Sequence, residues 1–317
     1  MNNTKKITRA MEMVAAAKMR KAVEAVLRTR TYANLSWATV LNLSRAVNSN
    51  GEAHPLLAKR EALKKIGIIL ITSNRGLCGG LNAAIINKAH ESIKKHHYIG
   101  EKMEIDTDFI LMGRKGAAVR RYWNYNIAAD FPKLDFTDEV AEVVPMAKMA
   151  ISDYLSGKYD KIMVTYTDFV SASKQVPRVK QLLPVDITTQ EEFLGIVGED
   201  TRVGIGKELI EVKEGKHLSD DPSTGSGRGK FIYEYTFEPS PAEVLDAMIP
   251  RLIEVQLYQA LLESNASEHS ARMAAMHQAT DAATDMVNEL TLFYNKARQA
   301  GITAEIAEIS AGANALK

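Results

Sequence analysis

Residues 245–297 read LDAMIPRLIEVQLYQALLESNASEHSARMAAMHQATDAATDMVNELTLFYNKA. Counting off alternate steps of three and four from Leu245 picks out Leu245, Met248, Leu252, Val255, Gln259, Leu262, Ala266, His269, Met273, Met276, Thr280, Ala283, Val287, Leu290, Tyr294 and Ala297. All but Gln259, His269 and Thr280 are apolar, and no step breaks the register. A sustained three-four repeat is the seam of a helix that winds about a partner. No proline follows Pro250, and glycine does not return until Gly301. At about 1.5 Å per residue the stretch makes a rod on the order of 80 Å long, against about 30 Å for a small domain. The rod must therefore leave its own globule.

A second long helix is expected over residues 2–48, with Asn3 or Thr4 as its cap. Its seam reads Ala16, Met19, Val23, Val26, Arg30, Ala33, Trp37, Val40, Ser44 and Val47. Before Ala16 the register drifts, because Ala10–Ala17 is nearly apolar all round. Side chains as thin as alanine allow a close approach, and the simplest structure pairs the two terminal helices as an antiparallel coiled coil. The first thirty residues hold eight Lys or Arg against two Glu. That excess is either a solvated face or a match to an acidic partner.

Between the helices the period changes. Polar residues around Gly51 and then Pro55 end the first helix. Buried strands are expected at Lys65–Thr72 (KIGIILIT), Asp106–Met112 (DTDFILM) and Lys161–Tyr166 (KIMVTY). Val176–Leu183 (VPRVKQLL) reads as an edge strand, because Pro177 cannot donate to a ladder. Helices are expected after the glycine loop SNRGLCGG, at Arg114–Tyr122 and at Val140–Leu155. This alternation gives a small Rossmann-like α/β domain with a largely parallel sheet. Residues 190–230 hold eight of the nineteen glycines and read as a mobile excursion. The expected division is a helix over 1–50, an α/β foot over 55–188, an insert and return strand over 189–238, and a helix over 239–317.

Charged residues make up 25% and hydrophobic ones 46%, with a formal net charge of +1. That balance argues against a nucleic-acid protein defined by global charge. The one cysteine, Cys78, excludes an internal disulfide and a multi-cysteine zinc site. No apolar run is long enough to span a membrane, and the N-terminus lacks the apolar core of a secretory signal. No Gly-Lys pair is followed by Ser or Thr, so there is no P-loop. Cys78 could serve as a nucleophile, but no histidine has a place beside it. His269 and His277, eight apart, do not have a chelating spacing and read as interface residues. Neither cofactor nor metal is expected. The residues favour a mechanical or assembly part over an enzyme; a stand-alone coiled-coil adaptor with an α/β head and an enzyme built on the RGLCGG loop are the alternatives.

Two stretches carry a resemblance: ITRAMEMVAAAKMRKA near the start, and LYQALLESNASEHSARMAAMHQATDAATDMVNELTLFYNKARQAGITAEIAEISAGANAL at the end. With RGLCGGLN, SKQVPRVKQLLPV and YEYTFEP they resemble the gamma subunit of rotary F-type ATP synthase, over nearly the whole chain. The resemblance implies a non-catalytic central shaft inside a ring of alpha and beta subunits. Its foot would sit with epsilon on the membrane-embedded c-ring, on the cytoplasmic face of a bacterial plasma membrane. Met11, Lys18, Arg20 and Lys21 would face the acidic lever of beta. Arg251, Gln256, Glu268 and Arg272 would fall in segments that meet the catch loops of alpha and beta. The resemblance places the foot, about residues 65–185, against epsilon and the c-ring, and the chain's end in the apolar collar of the ring. Members of the family usually begin further upstream with more basic helix; either the start is misassigned here, or part of the inner helix is lacking, which would weaken the top of the pair. The excursion has no cysteine, and no thiol switch is expected of it.

Overall fold

A computed structural model describes residues 1–48, 54–58, 60, 63–99, 105–134, 139–185, 238 and 240–315. The expected excursion over 190–230 lies outside the described residues. Helix α1 spans Asn2–Asn48, and strand β1 spans Lys65–Ile71. Helix α2 (Leu81–Ile99) and strand β2 (Asp106–Met112) follow. A 3-10 turn at Arg114–Ala117 runs into α3, Ala118–Trp123. Strand β3 covers Asn126–Phe131 and helix α4 covers Val144–Leu155. Strands β4 (Lys161–Phe169) and β5 (Gln175–Leu183) complete the sheet. Helix α5 then runs unbroken from Pro241 to Ala315, 75 residues or about 110 Å.

The sheet has the order β3-β2-β1-β4-β5. β1 lies parallel to both β2 and β4, β2 is parallel to β3, and β4 and β5 run antiparallel. β5 is the edge strand that Pro177 called for, and Pro177 stands opposite Thr167. β3 is the strand missing from the sequence reading. NIAADF is short and rich in alanine, and its side chains alternate only between half-buried and exposed, so it carries no buried run. At the amino ends, the Asp160 carboxylate accepts the backbone N–H groups of Lys64 and Lys65 at 2.8 and 2.9 Å. Lys65 pairs in turn with Asp106 and Asp108.

Two apolar layers sandwich the sheet. One joins Ile66, Ile68, Leu70, Phe109 and Leu111 to α2. The other is larger and continuous: it joins Ile69, Ile71, Val164 and Tyr166 to α4, α1 and α5. The rod thus grows out of the same core that holds the foot together. From Leu257 to Ser270 every residue of α5 is buried, because α1 covers one flank and the foot the other. The α1–α5 contact is the most extensive between any two described elements.

Helix α1 begins at Asn2, so Asn3 and Thr4 lie inside it rather than at its cap. Its buried stripe is Ala15, Ala22, Ala25, Val26, Ala33, Val40 and Leu43. Val26, Ala33 and Val40 match the expected seam, but above them the contact shifts by one residue, to Ala22 and Ala15 in place of Val23 and Ala16. In a segment flanked by alanines, apolar spacing does not distinguish two adjacent registers, and at the Ala22–Val23 step the thinner side chain takes the tight contact.

Candidate functional site

Three contacts set the register of the helix pair. Thr280 Oγ1 lies 2.9 Å from Thr8 Oγ1, His277 Nδ1 lies 3.2 Å from the Glu12 carboxylate, and Arg251 interacts with Tyr32. His277 and Arg251 therefore mark two levels, about 40 Å apart along α5 and about 30 Å apart between their partners on α1. Met11 and Lys18 are half-buried on α1, whereas Arg20 and Lys21 are exposed. The register brings Lys18 and Lys21 level with the Ser267–Arg272 turn of α5. Arg251 is exposed and donates to Glu254 at 2.7 Å. That bond, with the contact to Tyr32, raises its already high pKa. Gln256 is half-buried, and its side-chain oxygen has no hydrogen-bond partner among the described residues. The eight residues singled out from sequence thus lie along the rod rather than in one site.

Glu268 and Arg272 stand where the rod crosses the foot. In an open α/β sheet the binding crevice lies beyond the carboxyl ends of the strands, where the strand order reverses. Here that point falls between β1 and β4, and the turn Ser267–Arg272 fills it. Ser267 Oγ donates to the Thr167 carbonyl of β4 at 3.1 Å, and Ser270 Oγ donates to the Ala172 carbonyl at 2.7 Å. Glu268 is buried and receives two cations. Lys133 Nζ donates to Oε2 at 2.7 Å, and Arg272 Nη2 donates to Oε1 at 2.8 Å. The same Lys133 ammonium donates to the Thr72 carbonyl at the end of β1, at 2.9 Å. Burial alone would raise the Glu268 carboxyl, but Lys133 and Arg272 together hold it below the usual carboxylate range. His269, read from sequence as an interface residue, is buried here, with Nδ1 3.4 Å from Arg272 Nη1.

The glycine loop closes the other side. Leu77 and Gly79 both take left-handed backbone, φ 62° and 58°, which turns the chain from β1 into α2. Ser73 N–H donates to Asn82 Oδ1, and Asn82 Nδ2 donates to Ser73 Oγ and to Cys78 Sγ. Cys78 is buried. Its sulfur lies against Ser73 Oγ, Asn82 Nδ2 and the Arg75 carbonyl, none of them a base for a thiol proton. The crevice in which this class of sheet would hold a small ligand is occupied by the chain's own helix.

Sequence reasoning missed Lys133. It is a lone lysine after a strand that was itself missed, and nothing in its spacing distinguishes it from a surface residue. Among the described residues, no helix is long and apolar enough to cross a membrane, and no group of His, Cys, Asp and Glu is arranged to hold a metal.

A family model described as ATP synthase matches residues 1–316. The ATP synthase gamma chain of Chloroflexus aurantiacus is 38% identical over 314 residues, covering 99% of this chain and 94% of that one. That of Legionella pneumophila is 37% identical over 315 residues, covering 99% and 95%. Among solved structures, the central stalk and c-ring assembly of Tetrahymena thermophila mitochondrial ATP synthase contains a chain that matches at a TM-score of 0.57 and 21% identity. That match covers 86% of this chain and 99% of that one. A chain of the Euglena gracilis mitochondrial enzyme matches at 0.52 and 16%, covering 100% and 95%. At these identities the structural matches speak to the fold.

Proposed function

The chain belongs to the ATP synthase gamma family, and from that premise we propose that it is the central rotor shaft of a rotary F-type ATP synthase. Its helix pair turns inside a ring of alpha and beta subunits, and its foot joins epsilon and the c-ring. Ion flow through the membrane part turns foot and shaft together. The asymmetric shaft then drives each beta subunit in turn through its binding states. The chain is the transmission and performs no catalysis of its own. It is peripheral to the membrane, held on the cytoplasmic face of a bacterial inner membrane through the complex. One observation carries this reading: the two ends of a chain that aligns from end to end with gamma chains wind into a single rod standing on an α/β foot.

The working parts proposed are the helices over 1–50 and 239–317, the foot over 55–188, and an insert over 189–238. On α1 the proposed contacts to the acidic lever of beta are Met11, Lys18, Arg20 and Lys21. On α5 the segments bearing Arg251, Gln256, Glu268 and Arg272 approach the loops of alpha and beta.

Reconstitution tests the function. Mixed with alpha and beta subunits, the chain should enter a complex in which a probe fixed to the foot rotates on addition of ATP. A stable monomer or homodimer that ignores alpha and beta would overturn the reading. For the lever contacts, the triple variant Lys18→Ala, Arg20→Ala, Lys21→Ala should lower rotational torque modestly while the foot stays folded, because exposed ion pairs contribute little each. Met11→Lys, which adds a cation beside them, should lower ATP-driven ion pumping further. Unchanged torque and pumping in the triple variant would remove the charge role.

A further inference from the structure

Below the Ser267–Arg272 turn, α5 meets the foot mainly through apolar side chains, among them Leu252, Ile253, Leu257 and Leu261; the ion pair His54 Nε2–Asp246 Oδ1, at 2.7 Å near the start of α5, is open to solvent on its Asp246 side. Apolar burial is non-directional. It holds the rod in the foot but opposes turning about the rod's own axis only weakly. Hydrogen bonds weaken steeply with angle, and charge-assisted ones are the strongest of them. Directional contacts at this turn therefore fix the rotational setting of α5 in its seat.

Lys133 is the centre of those contacts. Its side chain is 2% exposed. It follows β3, at one edge of the sheet, and reaches past β2 to the carboxyl end of β1. There it donates to the Thr72 carbonyl and to Glu268 on the rod. Its backbone carbonyl accepts Asn74 Nδ2 at 2.6 Å, so the lysine is anchored to the glycine loop as well. Arg272 backs the far oxygen of Glu268. One buried carboxylate of the rod thus ties together two strand ends and a loop of the foot.

We propose that the buried Lys133–Glu268 pair, backed by Arg272, is a rotational latch that makes the shaft turn with the foot. Both are positioning residues: they hold α5 at one angle so that rotation imposed on the foot arrives at the ring without slip. This inference rests on the rotor reading above.

The test uses the complete enzyme in vesicles, with ATP hydrolysis and ATP-driven ion uptake measured on the same sample. Lys133→Met should lower the ions moved per ATP hydrolysed at least threefold, and Lys133→Arg should keep the ratio near that of the unmodified chain. A role confined to folding would reduce the amount of complex, moving both rates together and leaving the ratio untouched. If Lys133→Met does not assemble, the double variant Lys133→Met, Glu268→Met carries the test, because it buries no unpaired lysine or glutamate at that contact. An unchanged ratio in whichever variant assembles overturns the latch. Failure of the unmodified chain to support any pumping would instead overturn the rotor reading.

Discussion

Glu268 keeps a negative charge that burial alone would suppress, because Lys133 and Arg272 reach both of its oxygens. Its folded pKa is therefore lower than its unfolded one. The stabilisation is complete above the ordinary glutamate range of about 4.3 and is lost as pH falls through the depressed folded value. Glu268→Gln leaves a buried lysine without its anion, and breaking a buried pair costs about 3–5 kcal/mol. Denaturant midpoints of the two proteins should differ widely near neutrality and converge on acidification below about pH 4; a gap independent of pH would contradict the charge pairing. Gly113 is a second position where one residue decides. Its φ is 108°, and an added Cβ would stand 2.3 Å from the Thr72 carbonyl oxygen. Gly113→Ala should destabilise by more than the roughly 1–3 kcal/mol of backbone strain alone, read as a loss of thermal stability. Neither effect was legible in the sequence. A glutamate one residue off the apolar seam looks like any solvated charge until its partner is placed, and Gly113 looks like any strand-end glycine.

Among the elements, α5 was the most legible, since a long unbroken three-four repeat admits few other structures. The strands β1, β2 and β4 were legible as isoleucine- and methionine-rich buried runs, and the edge position of β5 followed from Pro177. β3 was hidden because an edge strand with exposed alternate positions buries too little to leave a pattern. The slip in α1 has the same kind of cause: alanine on every face erases the contrast that periodicity needs. The alanines now found on the stripe supply a test. Ala22 is buried against the rod, and Ala22→Leu would force in a side chain for which the close approach leaves no space, at a cost of about 1–3 kcal/mol. The exposed neighbour Glu24 is the control, because surface substitutions stay within about 0.5 kcal/mol. Thermal melts showing Ala22→Leu as stable as Glu24→Leu would mean that the pair is looser than described.

Among the described residues, apolar exposure is concentrated at one end. Leu290, Phe293, Ile302, Ile306 and Ile309 of α5 are each about half or more exposed, on a helix whose lower half is enclosed. Contiguous apolar surface of this kind marks an interaction site, which agrees with a collar of surrounding subunits. Replacing Phe293 and Ile306 with Ser should leave the melting of the isolated chain unchanged but weaken its association with the alpha and beta ring. Equal affinity in a binding titration would refute the collar. The enclosed lower half has a further consequence, for synthesis rather than for rotation. α5 is the last described element to leave the ribosome, yet it supplies one wall of the foot's core and the cover for the alanine stripe of α1. Until it emerges, the nascent foot has an open crevice and α1 lacks its cover, so closure joins residues from 100 positions apart at the crevice to 272 along the helix pair, the kind of contact that forms slowly. During that interval the unfinished chain presents the surfaces that provoke aggregation, and a holding chaperone would find its binding site there.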